Sequence, residues 1–342
     1  MKIIVLTFAA LMLGTHLISV NAQAPPPADP QMQAVLDQLK ALKPKPIEKL
    51  TPAEAREQPN PTTAVKALLK KKNITPASNL AKVEDSEMPG GAGKIPVRIY
   101  TPNGEGPFPV VVYIHGGGWV IASNDVYDAS PRAIAEMANA VVVSIEYRKA
   151  PEHKFPAAHE DSYAVLQYVM KNAASINGNP KKVAIMGESA GGNMAAAACM
   201  MARDRKGMMP IYQVLVYPVA DGDMKHQSYK TNKNAKPLNS AMIGWFAKYT
   251  LPSKKDAMNP YFGINKGNVK GVPPATIIAA EIDPLLTEGQ LYSNKLKKAG
   301  IPVRYRLYKG VTHEFFGMGA VVKKAKDAEM FAADGLKSAF SK

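Results

Sequence analysis

From Val97 to the C-terminus, short apolar runs alternate with longer stretches whose apolar residues recur three and four positions apart. The runs Val97–Tyr100, Val110–Ile114, Val141–Ile145, Val183–Met186, Gln213–Tyr217, Thr276–Ala280 and Val303–Tyr308 have strand length, and several are apolar at nearly every position. A strand buried on one face alternates apolar with polar; a run without alternation suits a strand covered on both faces, as in mostly parallel sheets. Helical spacing fills the intervals at 133–140, 157–171, 190–203 and 288–299, and a last helix is expected at about 321–338. Strand and helix alternating in this way predict a doubly wound α/β domain, its mostly parallel central sheet flanked by helices.

Two segments break the rhythm. In the first, Met32, Val35, Leu36, Leu39 and Leu42 recur at helical spacing, Thr51-Pro52-Ala53-Glu54 has the form of a capping box, and 64–69 reads as a further helix. This helical front, about 30–75, is too small to stand alone, so its apolar faces must pack on something larger. In the second, Val219 to about Gly271, no strand is predicted; the stretch carries Lys225, Lys230, Lys233, Lys236 and the pair Trp245-Phe246. It reads as an insertion over the C-terminal edge of the sheet, where ligands bind in such folds.

With 342 residues, 46% hydrophobic and 21% charged, the chain can fill a sizeable core, which excludes a disordered protein. Lys2, the apolar run Ile3 to Leu13 and the small-residue site Val20-Asn21-Ala22 read as a secretory leader cleaved after Ala22. The apolar run is too short for a membrane span, and Thr15, His16 and Asn21 interrupt it. The expectation is therefore export, periplasmic or secreted, with no stable membrane insertion after cleavage. Cleavage removes one lysine and no acid, so the net charge of +15 becomes +14. Only Lys70-Lys71-Lys72 is dense, and no nucleic-acid motif accompanies it, so a solvated basic surface is expected and no nucleic-acid partner. Cys199 is the only cysteine, which excludes an intrachain disulfide; its place among alanines and methionines suits buried packing.

The candidate chemistry starts at Gly187-Glu188-Ser189-Ala190-Gly191, between a predicted strand and a predicted helix. Gly-x-Ser-x-Gly in that context is a nucleophile elbow, a turn sharp enough to project the serine hydroxyl. A serine needs a base, and the base an orienting acid, in the chain order Ser, Asp or Glu, His. Asp283 follows the strand at 276–280, and His313 follows the strand at 303–308; His226, the other histidine after Ser189, precedes Asp283 and fails the order. Donors for a tetrahedral oxyanion are expected from His115-Gly116-Gly117-Gly118-Trp119 and from the amide of Ala190, because bare backbone can approach a reacting oxygen closely. The triplet lacks the spacing of a phosphate-binding loop. His115 is expected to hold the loop, and the Glu188 side chain to point away from Ser189. His153 and His159 lack metal-ligand spacing, so neither a metal nor a cofactor is expected.

These motifs, with Tyr147-Arg148-Lys149-Ala150-Pro151-Glu152-His153-Lys154-Phe155-Pro156-Ala157-Ala158, Asn193, Asp283-Pro284-Leu285 and His313-Glu314-Phe315, closely resemble the hormone-sensitive-lipase-like family of α/β-hydrolases, whose bacterial members are carboxylesterases. The resemblance implies an α/β-hydrolase fold with a helical cap, a triad of Ser189, Asp283 and His313, and oxyanion donors at Gly117, Gly118 and Ala190. It divides the chain into a leader at 1–22, a linker and helical cap segment at 23–92, and a catalytic domain at 93–342 with a cap insertion at about 219–271. Glu188 stands where the family more often has Asp, and Lys149 where it has Leu; both departures are expected to affect packing or subfamily only.

The function expected is hydrolysis of short- to medium-chain acyl esters, small molecules, through a covalent acyl-enzyme. Trp119, Trp245 and Phe246, with Tyr249, are expected to wall the substrate pocket. A peptidase or amidase on the same scaffold, a non-catalytic small-molecule binder and a surface binder driven by charge are the rivals. A homodimer is left open.

Overall fold

Eight strands form a single sheet in the order β1-β2-β4-β3-β5-β6-β7-β8 in the computed structural model, which describes residues 26–342. The leader assigned to 1–22 lies outside these residues. In chain order come α1 (Pro30–Ala41), α2 (Pro52–Arg56), α3 (Pro61–Lys71), β1 (Leu80–Gly90), β2 (Gly93–Pro102), β3 (Phe108–Ile114), α4 (Asn124–Tyr127), α5 (Ala129–Ala138) and β4 (Val141–Ile145). They are followed by α6 (Ala157–Asn172), β5 (Gly178–Glu188), α7 (Ala190–Asp204), β6 (Gln213–Val216), α8 (Gln227–Thr231), α9 (Ser240–Thr250), β7 (Ala275–Ile282), α10 (Leu286–Lys298), β8 (Val303–Thr312) and α11 (Lys323–Phe340). All pairings from β4 to β8 are parallel; β2 joins β4, and β1 joins β2, antiparallel.

The central strands are apolar at nearly every position because each face has its own core. Val110, Val112, Ile114, Val183 and Ile185 pack under α6, α7 and α10, while Val111, Tyr113, Val142, Ala184 and Met186 pack under α5 and α11. Successive side chains of a strand point to opposite faces, so an unbroken apolar run fills both layers. Cys199 lies buried in α7, within the first core.

β1 is a correction. The sequence analysis places 80–90 in the linker and helical cap segment, yet Leu80–Gly90 pairs with β2 from Leu80↔Pro102 to Gly90↔Gly93, so the sheet begins at Leu80. Its sequence, LAKVEDSEMPG, is largely exposed, and only Met88 is buried. Backbone pairing rather than burial makes it a strand, and its charged side chains protect an edge that would otherwise invite another chain.

The helical front divides between two packing partners. Met32, Val35 and Leu39 of α1 and Ala64, Val65 and Leu68 of α3 join the core under α5 and α11. The intervening segment instead joins the insertion: Ala55, with Ile47 and Leu50 at its side, clusters with Tyr229, Leu238, Trp245 and Phe246. Thr51 and Glu54 form the expected capping box of α2. Arg56 ties this segment to the main domain, with Nε donating to the Val120 carbonyl at 2.9 Å and Nη2 pairing with Glu152 at 2.7 Å. The two parts of the cap thus form one apolar cluster over the C-terminal ends of the strands.

Candidate active site

β5 runs straight into α7, and Ser189 occupies the bend with φ 56° and ψ −117°. This left-handed conformation strains a residue with a Cβ by roughly 1–3 kcal/mol and is tolerated where the surroundings over-determine it. Here they do. The Ser189 amide donates to Val216 O at 2.9 Å and its carbonyl accepts from Asn193 N at 3.0 Å. A Cβ on Gly187 would stand 2.2 Å from Gly191 O, and one on Gly191 would stand 2.0 Å from Ile114 O. The two glycines of the motif are therefore demanded by close approach of backbone.

Three strands deliver the chemistry to one point. Ser189 follows β5, Asp283 follows β7 and His313 follows β8. His313 Nε2 lies 2.9 Å from Ser189 Oγ, and Nδ1 lies 2.7 Å from Asp283 Oδ2. Asp283 is fully buried, with Oδ1 accepting from Leu285 N at 2.8 Å. An ionised carboxylate only accepts, so the proton sits on Nδ1 and the lone pair of Nε2 faces the serine hydroxyl. Burial alone would lower the His313 pKa, but the charge and hydrogen bond of Asp283, helped by Glu314 and Glu188, outweigh it and leave the imidazole raised above its ordinary value.

The glycine loop after β3 sits beside Ser189. Gly117 (φ 96°) and Gly118 (φ 57°) adopt left-handed backbone. A Cβ on Gly118 would stand 2.3 Å from the Phe246 ring, and one on Gly117 would stand 2.2 Å from Ile121 O. No hydrogen bond from the Gly117, Gly118 or Ala190 amides is found among the described residues. The loop is held from behind, with Tyr147 Oη donating to Gly116 O at 2.8 Å and His115 Nδ1 at 2.7 Å from the same oxygen. Burial lowers the His115 pKa to about 4, so the ring is neutral, and its contact with the Gly116 carbonyl holds the loop.

The profile of the alpha/beta hydrolase fold matches residues 111–317. Carboxylesterase NlhH of Mycobacterium tuberculosis is 37% identical over 243 residues, 70% of this chain and 76% of that one. Ethyl acetate hydrolase of Pseudomonas putida is 30% identical over 71% of this chain and 78% of its own. The solved structure of a hyperthermophilic esterase from Pyrobaculum calidifontis superposes with a TM-score of 0.84 at 34% identity, covering 92% of this chain and 99% of that one. The chain belongs to the α/β-hydrolases, in their hormone-sensitive-lipase-like branch.

In this hydrolase the cap encloses a cavity that reaches Ser189 and His313. Trp119 and Phe246 line it, as expected; Trp245 and Tyr249 do not. Trp245 and Phe246 are adjacent on α9, about 100° apart around the helix, so they cannot face the same way. Trp245 instead turns into the cap cluster, where its indole N–H donates to Leu50 O at 2.9 Å. A buried indole usually finds such a partner.

Glu188 points away from the serine. Its two carboxylate oxygens accept from Tyr113 Oη and Tyr217 Oη, each at 2.5 Å. Burial drives its pKa up from 4.5 to about 7, although hydrogen bonds from Ser130, Tyr113 and Tyr217 oppose the rise. Between those two values the native protein holds a proton that the unfolded chain has released, so this group's contribution to stability falls as pH rises through the window. Glu188→Gln has no such charge to bury. Its melting temperature minus that of the native protein should therefore grow from about pH 5 to about pH 8. A difference that stays flat with pH would show that the carboxylate is not penalised.

Glu314 is a cavity residue to which the sequence alone assigns no role. It follows His313 with φ 68°, and its Oε1 accepts from Tyr127 Oη at 2.6 Å and lies 3.8 Å from His313 Nε2. Burial raises its pKa, while the charge of His313 and the Tyr127 hydrogen bond pull it back. The one signal in the sequence was its adjacency to His313.

Proposed function

We propose that this carboxylic ester hydrolase cleaves short- to medium-chain acyl esters through a covalent acyl-enzyme on Ser189. The observation that carries the reading is the hydrogen-bonded line Asp283–His313–Ser189 ending beside three amides without partners. His313 Nε2 takes the hydroxyl proton as Oγ attacks the ester carbonyl. The new C–O bond places negative charge on the carbonyl oxygen, and the amides of Gly117, Gly118 and Ala190 receive it. His313 then passes its proton to the leaving alkoxide, which departs as the alcohol. Water repeats the sequence on the acyl-enzyme, releasing the acid and restoring Ser189. Asp283 holds the imidazole tautomer and stabilises the imidazolium.

Chain length follows from the enclosure. Phe246, Leu251 and Phe262 wall the cavity with apolar surface, which suits a modest acyl chain rather than an extended one. We further propose that residues 1–22 direct export and are removed.

The test is a series of p-nitrophenyl esters of increasing acyl length, run beside matched anilides and with a serine-directed phosphonate. Expected are a kcat/KM maximum at short to medium chains, little anilide cleavage and full loss on phosphonylation. Because His313 must be neutral to act as base and its pKa is raised, the acid limb of kcat/KM should inflect above the 6.5 of an ordinary imidazole. Preference for long insoluble chains would make it a lipase, and anilides cleaved as well as esters would make it an amidase.

A further inference from the structure

We propose that Glu314 turns the leaving-group side of the cavity into a receptor for a cation, so that the enzyme prefers esters of alcohols bearing a quaternary or protonated amine. This rests on the triad reading above, because that reading fixes where the alcohol departs. The leaving oxygen collects its proton from His313 Nε2 and must therefore come within hydrogen-bond reach of that nitrogen. The carbonyl oxygen points the other way, into the amides. Atoms following the leaving oxygen therefore enter the region of Glu314, whose Oε1 lies 3.8 Å from the same Nε2.

The carboxylate there is available. Tyr127 engages Oε1, whereas Oε2 has no hydrogen bond and no lysine or arginine at ion-pair distance among the described residues. The side chain lines the cavity and keeps 23% of its surface exposed. The other charged side chains of the lining are already matched. Arg56 is paired with Glu152 and Asp221 with Lys266, each at 2.7 Å. Glu314 is thus the carboxylate of this lining that has no lysine or arginine partner among the described residues. A charge so placed is poorly solvated, and an arriving cation compensates it in a way that a hydroxyl group does not.

The lining carries polar as well as apolar side chains. Gln58, Asn60, Val126 and Tyr127 line the cavity together with Glu314, and Thr62 Oγ1 donating to Val126 O at 2.8 Å fastens the front segment to the loop beneath it. Phe246, Leu251 and Phe262, also in the lining, offer only apolar surface.

The experiment compares choline butyrate with 3,3-dimethylbutyl butyrate, which share shape and differ in one positive charge. The native enzyme should prefer the cationic ester by about tenfold in kcat/KM, the scale of one partly screened charge pair. Glu314→Gln preserves volume and an acceptor for Tyr127; it lowers the His313 pKa for both esters alike, and on the plateau above that acid limb it should bring the ratio to about one by a selective loss on the cationic ester. Equal loss on both esters would make Glu314 a positioning residue for His313 and overturn the proposal, as would a native ratio near one. Should the variant not fold, inhibition of the native enzyme decides: choline must inhibit more strongly than 3,3-dimethylbutanol, and equal inhibition overturns the proposal. A native ratio of one with both esters hydrolysed leaves the serine mechanism standing. Hydrolysis of both esters unchanged in Ser189→Ala removes the mechanism and this inference together.

Discussion

Ser189→Ala is expected to lower kcat on a p-nitrophenyl ester by about a million-fold, roughly 8 kcal/mol of transition-state stabilisation. The loss is this large because no other group stands where Oγ does: the hydroxyl is 2.9 Å from its base and next to the amides of Ala190 and the glycine loop. Residual turnover above that of water should persist, since those amides still polarise a bound carbonyl. The fold should survive. The variant gives up one hydrogen bond to Nε2, worth about 1 kcal/mol, while the Cβ and the strained turn are unchanged. The check is kcat measured at high enzyme concentration beside a thermal melt, with mass spectrometry after phosphonate treatment. Near-normal activity in a folded variant would remove Ser189 from the mechanism.

How much of this was legible in the sequence depended on whether burial or a distant contact created the feature. The parallel strands could be read because covering both faces forces apolar runs such as Val141–Ile145, which begins and ends where expected. β1 could not, since an edge strand with Lys82, Glu84 and Glu87 in solvent leaves no apolar trace. Ser189, Asp283 and His313 were legible because each directly follows a strand whose apolar core is written in the chain, and the parallel order places those ends side by side. Glu314 was not, because its importance comes from Tyr127, 187 positions away, and from the cavity they share. The separation of Trp245 from Phe246 required the rotational phase of α9, which two adjacent aromatics do not reveal. The front was read as one unit, whereas α1 and α3 serve the core and 47–56 serves the cap; helical periodicity says that a face is buried, not against what.

Asp283→Asn carries the second largest expected effect, a fall in kcat of about 10⁴-fold with little change in KM. The local hydrogen bonds explain why so small a change costs so much. Oδ1 of Asp283 accepts from the Leu285 amide at 2.8 Å, so an asparagine there keeps its carbonyl oxygen on that donor. Its NH₂ group then faces His313 Nδ1, at the 2.7 Å now spanned by an N–H donating to a carboxylate. Nδ1 must become the acceptor, the proton moves to Nε2, and the nitrogen facing Ser189 has no lone pair for the hydroxyl. The base is present in the wrong tautomer. The pH profile should change as well, with a definite sign. The Asp283 charge and hydrogen bond raise the His313 pKa against the effect of burial. Removing that charge destabilises the imidazolium, so the acid limb of the residual kcat/KM must move to lower pH. Profiles of kcat and of kcat/KM against pH for Asp283→Asn beside the native enzyme test both parts. Loss of rate with an unmoved acid limb would mean that Asp283 orients the ring without stabilising its charge. A loss smaller than about tenfold would mean that another group fixes the tautomer. Glu314 cannot fill that place, because its carboxylate is close to Nε2, the nitrogen that must stay free.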